Sequence, residues 1–263
     1  MKTALEQLFY SLSGGDLLLL ATLGGLFTSI LNMLGALPVL ILREGDSKIS
    51  DLGLGFAAGV MLAASFTSLI IPGIERGGIL PVFIGIILGA VLVSALDKLI
   101  PHMHAIIGVE GPSLRLRAIW LFIFAITIHN MPEGLAVGVG LGSGDIAAGL
   151  ALMIAIALQN IPEGLSVGLS LIATGSYSRK RAYLASSLSG LVELPLAMIG
   201  AVAVISIHQI IPYAMGFAAG AMLFVVSDEI IPEVHRLGKE KPVTYSLMGG
   251  LLLMLFLDAA FKA

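Results

Sequence analysis

The chain has 263 residues, 57% of them hydrophobic and 12% charged, with a mean hydropathy of +1.03. A soluble domain cannot hide that much apolar surface, so composition excludes a soluble protein or a nucleic-acid partner and predicts an integral membrane protein whose surroundings are the lipid bilayer. The net charge of −3 says little, but the absence of cysteine excludes disulfides, thiolate metal sites and cysteine nucleophiles.

Residues before Asp16 lack a basic start and a small-residue cleavage site, so no removable signal peptide is expected. A bilayer core needs about 20 apolar residues per helix. Against that length the chain offers eight spans: Leu17 to Ile41, Leu52 to Ile71, Leu80 to Leu96, Ile119 to Leu141, Ile146 to Ile172, Tyr183 to Ile207, Ile210 to Ile231 and Val243 to Phe261. Only His208, Gln209 and Pro212 mark the boundary between the sixth and seventh. No loop is long enough for a second domain, so residues 1–263 form one transmembrane domain of all-α class.

Span two reads Gly55-Phe56-Ala57-Ala58-Gly59-Val60-Met61-Leu62 and then Ile70-Ile71-Pro72, and span seven repeats it as Gly216-Phe217-Ala218-Ala219-Gly220-Ala221-Met222-Leu223 and Ile230-Ile231-Pro232. Spans five apart run in opposite directions, so the echo is what an inverted-topology repeat leaves in a sequence. Convergent small-residue helix packing is the other explanation.

Span four carries His129-Asn130-Met131-Pro132-Glu133-Gly134, and thirty positions later span five carries Gln159-Asn160-Ile161-Pro162-Glu163-Gly164. Residues four apart share a helix face, so His129 stands over Glu133 and Gln159 over Glu163, with Asn130 and Asn160 widening each face. Pro132 and Pro162 free the carbonyls of Ile128 and Leu158, and kinks are expected there. Carboxylates, an imidazole, amide oxygens and freed carbonyls are ligands suited to a divalent cation. Ionisable groups inside a membrane span are costly and mark function, although such residues can also bond only each other. Gly134, Gly138 and Gly142, with Gly164 and Gly168, predict close contact between spans four and five. Glu193 in span six, two residues before Pro195, needs a partner: the same cation, or serines of its own helix.

Basic residues set the orientation. Loops after spans one, three, five and seven hold eleven (Arg43, Lys48, Lys98, Arg115, Arg117, Arg179, Lys180, Arg181, Arg236, Lys239 and Lys241), and the opposite side holds Lys2, Arg76 and Lys262. The positive-inside rule therefore places both termini outside and the Pro101 to Ala118 loop in the cytoplasm.

The paired His-Asn-x-Pro-Glu-Gly and Gln-Asn-x-Pro-Glu-Gly motifs resemble the fourth and fifth helices of the ZIP family of divalent metal transporters, prokaryotic type, and the resemblance extends over all eight spans. It implies eight transmembrane helices in a 3+2+3 inverted-repeat arrangement, a binuclear site at mid-membrane, and a homodimer in the cell inner membrane that moves one helix bundle against another. It implies Zn2+ or another divalent transition metal (iron, manganese or cadmium) as transported substrate, one or two ions per site. Carried over motif by motif, the primary ligands are Met61, His129, Glu133, Gln159 and Glu163, with Glu193 added from span six. The second site uses Asn130, Glu133, Asn160, Glu163 and Glu193. The chain departs from some prokaryotic relatives in having Asn160 where they have aspartate, which lowers the charge of the second site.

Beyond these motifs, Met61 is one of eleven methionines and fits core filling as well as ligation. Asp228, Glu229, Glu233 and His235 lie toward the cytoplasmic end of span seven, as metal relays or a solvated helix end. Ser68 and Glu75 lie toward the external end of span two, as cation attractors or a polar rim. His102 and His104 in the cytoplasmic loop are candidates for a regulatory metal trap.

Two other functions compete with transport of a metal into the cytoplasm. An intramembrane metalloenzyme is opposed by the lack of His-Glu-x-x-His and of a second histidine near the site, and catalysis has no need of duplicated motifs. A cation-coupled carrier of an organic solute is opposed by the absence of membrane-embedded arginine in spans four to six and by few aromatics beyond Trp120, Phe122 and Phe124.

Overall fold

The computed structural model describes residues 4–42, 47–99, 102–104, 108–110, 118–173, 177–232 and 240–262, with side chains of the fourth span described from Thr127 onward. Arg43, Arg115, Arg117, Glu233, His235, Arg236, Lys239 and Lys2 lie outside the described residues, as do the side chains of His102, His104, Trp120, Phe122, Phe124 and Lys262.

The protein is overwhelmingly helical. A short amphipathic helix, α1 (Ala4–Ser13), precedes α2 (Leu17–Ala36), whose N-terminus is capped by the Asp16 side chain accepting from the Leu19 amide. α2 ends in a 3-10 turn over Leu37–Leu40, where Pro38 occupies the first turn. Next come α3 (Ser47–Ala64), α4 (Ile71–Gly77) and α5 (Ile79–Leu99). A two-stranded antiparallel hairpin, β1 (His102–His104) with β2 (Gly108–Glu110), sits in the loop before α6 (Ala118–Gly142) and α7 (Ile146–Ala173). The rest of the chain forms α8 (Arg179–Gly190), α9 (Glu193–Ser206), α10 (Ile211–Val225) and α11 (Glu240–Lys262). Seven helical stretches among the described residues are long and apolar enough to cross a membrane, which makes this a multi-pass membrane protein.

Both proline-containing motif helices stay helical throughout: Pro132 and Pro162 lie inside α6 and α7 without ending them. Segments that depart from α-helical hydrogen bonding appear elsewhere. A π-helical segment at Ser65–Ile70 joins α3 to α4, and another at Val226–Ile230 follows α10, each immediately before an Ile-Pro pair. A π turn accommodates an extra residue and often marks a functional site. Span six is also divided: α8 ends at Gly190, and Glu193 opens α9 after a turn at Leu191 and Val192. Pro195 cannot donate to the Leu191 carbonyl, which favours a break at that point.

The most extensive helix pairs are α5 with α10, α3 with α11, α2 with α7, and α6 with α9. Small residues set them. A Cβ at Gly59 would meet the Leu247 backbone on α11, and one at Gly220 the Ile86 backbone on α5. The echoed Gly-Phe-Ala-Ala-Gly segments are therefore helix-contact surfaces in both copies.

The motif glycines correct an expectation. A Cβ at Gly134, Gly138 or Gly142 would meet Glu193, Ala197 or Ala201 on α9, whereas one at Gly164 or Gly168 would meet Asn32 or Val39 on the span-one side. The glycine ridge of α6 thus faces α9, and that of α7 faces α2. Helices α6 and α7 still touch, with their closest glycine approach at Gly140 and Gly149 near the turn joining them. Successive glycines four apart mark one face of a helix but do not name the neighbour it meets.

Candidate metal centre

The motif residues meet in the interior. One turn of α6 separates His129 from Glu133, and one turn of α7 separates Gln159 from Glu163, so each helix offers a two-residue polar face. Ligand atoms of His129, Glu133 and Glu163 all lie within 4.8 Å of one another. His129 Nε2 is 3.8 Å from Glu163 Oε1, and Gln159 Nε2 donates to Glu133 Oε1 at 3.3 Å. Both glutamates are buried, at 0% and 1% exposure, while His129 is partly buried.

The chemistry of this cluster favours a cation. Glu133 Oε2 and Gln159 Oε1 are buried acceptors with no hydrogen-bond partner among the described residues. Leaving a buried acceptor unsatisfied costs about 1–3 kcal/mol, more for a charged group, and a cation between the two helices removes that cost. Oxygen and imidazole nitrogen donors around one point suit a borderline divalent ion.

Glu193 occupies a neighbouring arrangement. Gly134, lacking a side chain, lets the Glu193 backbone approach the helix that carries Glu133. The Glu193 carboxylate is fully buried, and the Asn160 amide nitrogen donates to both of its oxygens, at 2.7 and 2.9 Å. The same nitrogen donates to the Thr28 carbonyl at 3.2 Å. Three acceptors around one atom of Asn160 fix the orientation of its amide: nitrogen, not oxygen, faces Glu193. The partners of Glu193 therefore come from α7 and α2, Asn160 and the Thr28 side chain, rather than from serines of its own helix. Ser186 and Ser189 bond the Gly164 and Ser186 carbonyls instead.

Of the remaining candidates, Met61 is fully buried in the core on α3, and Asn130 is 1% exposed on α6. Asp228 and Glu229, neighbours within the π segment at Val226–Ile230, differ in placement: Asp228 is exposed, while Glu229 is 7% exposed with Oε2 3.5 Å from His129 Nδ1. The internal repeat is the one signal in the sequence for this. Glu229 follows Met222 by the spacing at which Ser68 follows Met61, so both fall in the π segments. Ser68 is buried, and its hydroxyl has no hydrogen-bond partner among the described residues; Glu75 is exposed.

Comparison with known proteins bears on this arrangement. Residues 108–258 match the family described as ZIP zinc transporter. The chain is 45% identical over 250 residues to zinc transporter ZIPB of Bordetella bronchiseptica, covering 91% of this chain and 81% of that one. It is 40% identical over 235 residues to zinc transporter GufA of Myxococcus xanthus, covering 86% and 92%. It is 36% identical over 337 aligned positions to human zinc transporter ZIP11, covering 94% and 98%.

Proposed function

This chain belongs to the ZIP zinc transporter family, and from that premise we propose that it carries zinc across the membrane through the centre built by His129, Glu133, Gln159 and Glu163. The convergence of three ligand side chains within 4.8 Å, from two helices and deep in a membrane protein, carries the proposal. Met61 completes the primary ligand set in this reading, Asn130 belongs with the second, flanking site, and Glu229 reaches the centre through His129. Asn160 and Glu193 form a flanking site in which an amide nitrogen already holds the carboxylate, so one zinc ion per cycle is expected.

The transport path in this proposal follows the seam between two groups of helices. Helices α3, α5, α10 and α11 form one group and α2, α6, α7 and α9 the other, with α3 packing on α7 and α10 on α6 across the seam. With α6 as an eighth span, the pairing is unchanged when spans one, two and three exchange with six, seven and eight and span four exchanges with five. That regularity supports a 3+2+3 inverted repeat with the metal centre at its axis. Both termini then lie outside, the hairpin loop lies in the cytoplasm of a cell whose inner membrane holds the protein, and net flow is inward. A homodimer is part of the same proposal.

A metalloenzyme is not supported: the relatives compared are named as zinc transporters. Zinc uptake into proteoliposomes, run against iron, manganese and cadmium, tests the proposal. Zinc uptake that matches protein-free vesicles would overturn it.

A further inference from the structure

The turn between α6 and α7 is held from outside its own pair of helices. Ser143, Gly144 and Asp145 connect the C-terminus of α6 to the N-terminus of α7, with Gly144 at a φ of +86° that only glycine adopts freely. Asp145 Oδ1 accepts from the Ala148 amide at 3.2 Å and so caps α7, while the Ser143 carbonyl is one of the free acceptors at the end of α6. Arg76 of α4 reaches both: Nη1 donates to the Ser143 carbonyl at 3.1 Å, and Nη2 lies 3.6 Å from Asp145 Oδ2. A cation at a helix C-terminus is also favoured by the helix dipole.

The helix that carries Arg76 is firmly placed. Helix α4 packs on α10, and a Cβ at Gly73 or Gly77 would meet Met215 or Pro212 of that helix. One guanidinium thus ties the α3–α10 side of the seam to the tip of the two helices that bear the metal motifs. Beneath it lies a cavity of about 10 Å³ lined by Ser68, Pro72, Gly140, Asp145, Gly149 and Met215. A cavity of that size holds one water molecule at most, so no hydrated ion passes. The Ser68 hydroxyl lines that cavity, buried and without a hydrogen-bond partner among the described residues.

We propose that Arg76 is a tethered cation that closes the seam at the α6–α7 end by holding Ser143 and Asp145, and that its release opens the mouth through which a divalent cation reaches the metal centre. The guanidinium takes the place beside Asp145 that an arriving cation would take, so closing the mouth and receiving an ion exclude each other. Sliding α6 and α7 past α4 and α10 requires breaking both contacts. Arg76 and Asp145 are 30% and 47% exposed at their side chains, which suits a contact that breaks and reforms in each cycle. Arg76 is a positioning residue in this account and touches no transported ion. The proposal rests on the transport reading above, and its assignment to the outer face rests on the orientation given there.

The absence of cysteine makes a direct test available. Ser68→Cys, alone and combined with Arg76→Gln or Asp145→Asn, is reconstituted in vesicles, and its labelling by a membrane-impermeant maleimide is timed from each face. Labelling should be slow with Arg76 and Asp145 intact and at least several-fold faster in both double variants, with thermal unfolding in detergent unchanged. Equal labelling rates in all three proteins, from either face, would overturn the latch. Faster labelling of the double variants from the face bearing the basic loops would keep the latch and overturn the orientation. Should Ser68→Cys fail to fold, Ala148→Cys in the same cavity serves as the reporter, with the same criteria. Absence of zinc uptake with a working latch would separate failure of the transport reading from failure of this one.

Discussion

Asn160→Asp is the most informative single substitution at the centre. The Asn160 amide nitrogen serves both oxygens of Glu193, at 2.7 and 2.9 Å, and the Thr28 carbonyl at 3.2 Å. Aspartate removes all of these donations and sets a second carboxylate against a fully buried one. Hydrogen bonds to a charged group are worth about 1.5–3 kcal/mol, and stripping a buried charge of its partner costs about 3–5 kcal/mol. At the lower end of both, the metal-free variant loses about 3 kcal/mol. Two facing carboxylates then form a cation site, and zinc at about 100 times its dissociation constant returns about 2.7 kcal/mol, nearly all of that loss. Thermal unfolding in detergent, with and without zinc, reads the stability change, and metal analysis after gel filtration reads the stoichiometry. Bound zinc should rise from one ion per chain to two. A stoichiometry fixed at one, with the same destabilisation whether or not zinc is present, would refute the view that the amide stands in for a second ion.

Other consequences follow from the same geometry. Glu229→Gln removes the charge 3.5 Å from His129 Nδ1, and zinc affinity measured by calorimetry should weaken by about tenfold, equivalent to about 1.4 kcal/mol; unchanged affinity would place Glu229 outside the centre. Gly138→Leu drives a side chain into the Ala197 backbone and should lower stability by about 3 kcal/mol or more, seen as a lower unfolding temperature, whereas Leu88→Ala at an exposed position of α5 should cost far less. Zinc requires ionised carboxylates and a neutral imidazole, so its apparent affinity should weaken as pH falls from about 7 to about 5. Calorimetry in buffers of different ionisation enthalpy should count the protons released, and an enthalpy independent of buffer would argue against that competition. A reporter fused after Lys262 should be active only outside the cytoplasm, and one in the Pro101 to Ala118 loop only inside.

Much of this organisation was legible in the sequence because membrane spans and intramembrane charges leave strong signals. The seven described spans coincide with predicted apolar stretches, since each needs its run of apolar residues regardless of its neighbours. The polar faces of α6 and α7 follow from four-residue spacing alone, but the glycine ridges from which their meeting was expected face α9 and α2, and only the fold shows His129, Glu133 and Glu163 side by side. Pairing between helices was less legible. Gly138 reports that something approaches closely, and only the fold reveals Ala197 as what it meets. Glu229 and Asp228 are a subtler case: consecutive helical residues point to different sides, and only the fold shows that Glu229 is the one turned inward while Asp228 is exposed. Asn160 shows the same limit in hydrogen bonding, because an amide presents either its oxygen or its nitrogen, and the choice was made by Glu193 and Thr28, remote in sequence.

The central claim is that zinc crosses the membrane on the ligands of α6 and α7. Initial zinc uptake by proteoliposomes holding equal amounts of wild-type, Glu133→Ala and Glu163→Ala protein tests it most directly. Each substitution removes a buried carboxylate whose loss costs a bound cation several kcal/mol, so uptake should fall by at least a hundredfold in both variants while folded protein remains in the vesicles. Wild-type uptake and affinity in either variant would contradict the account.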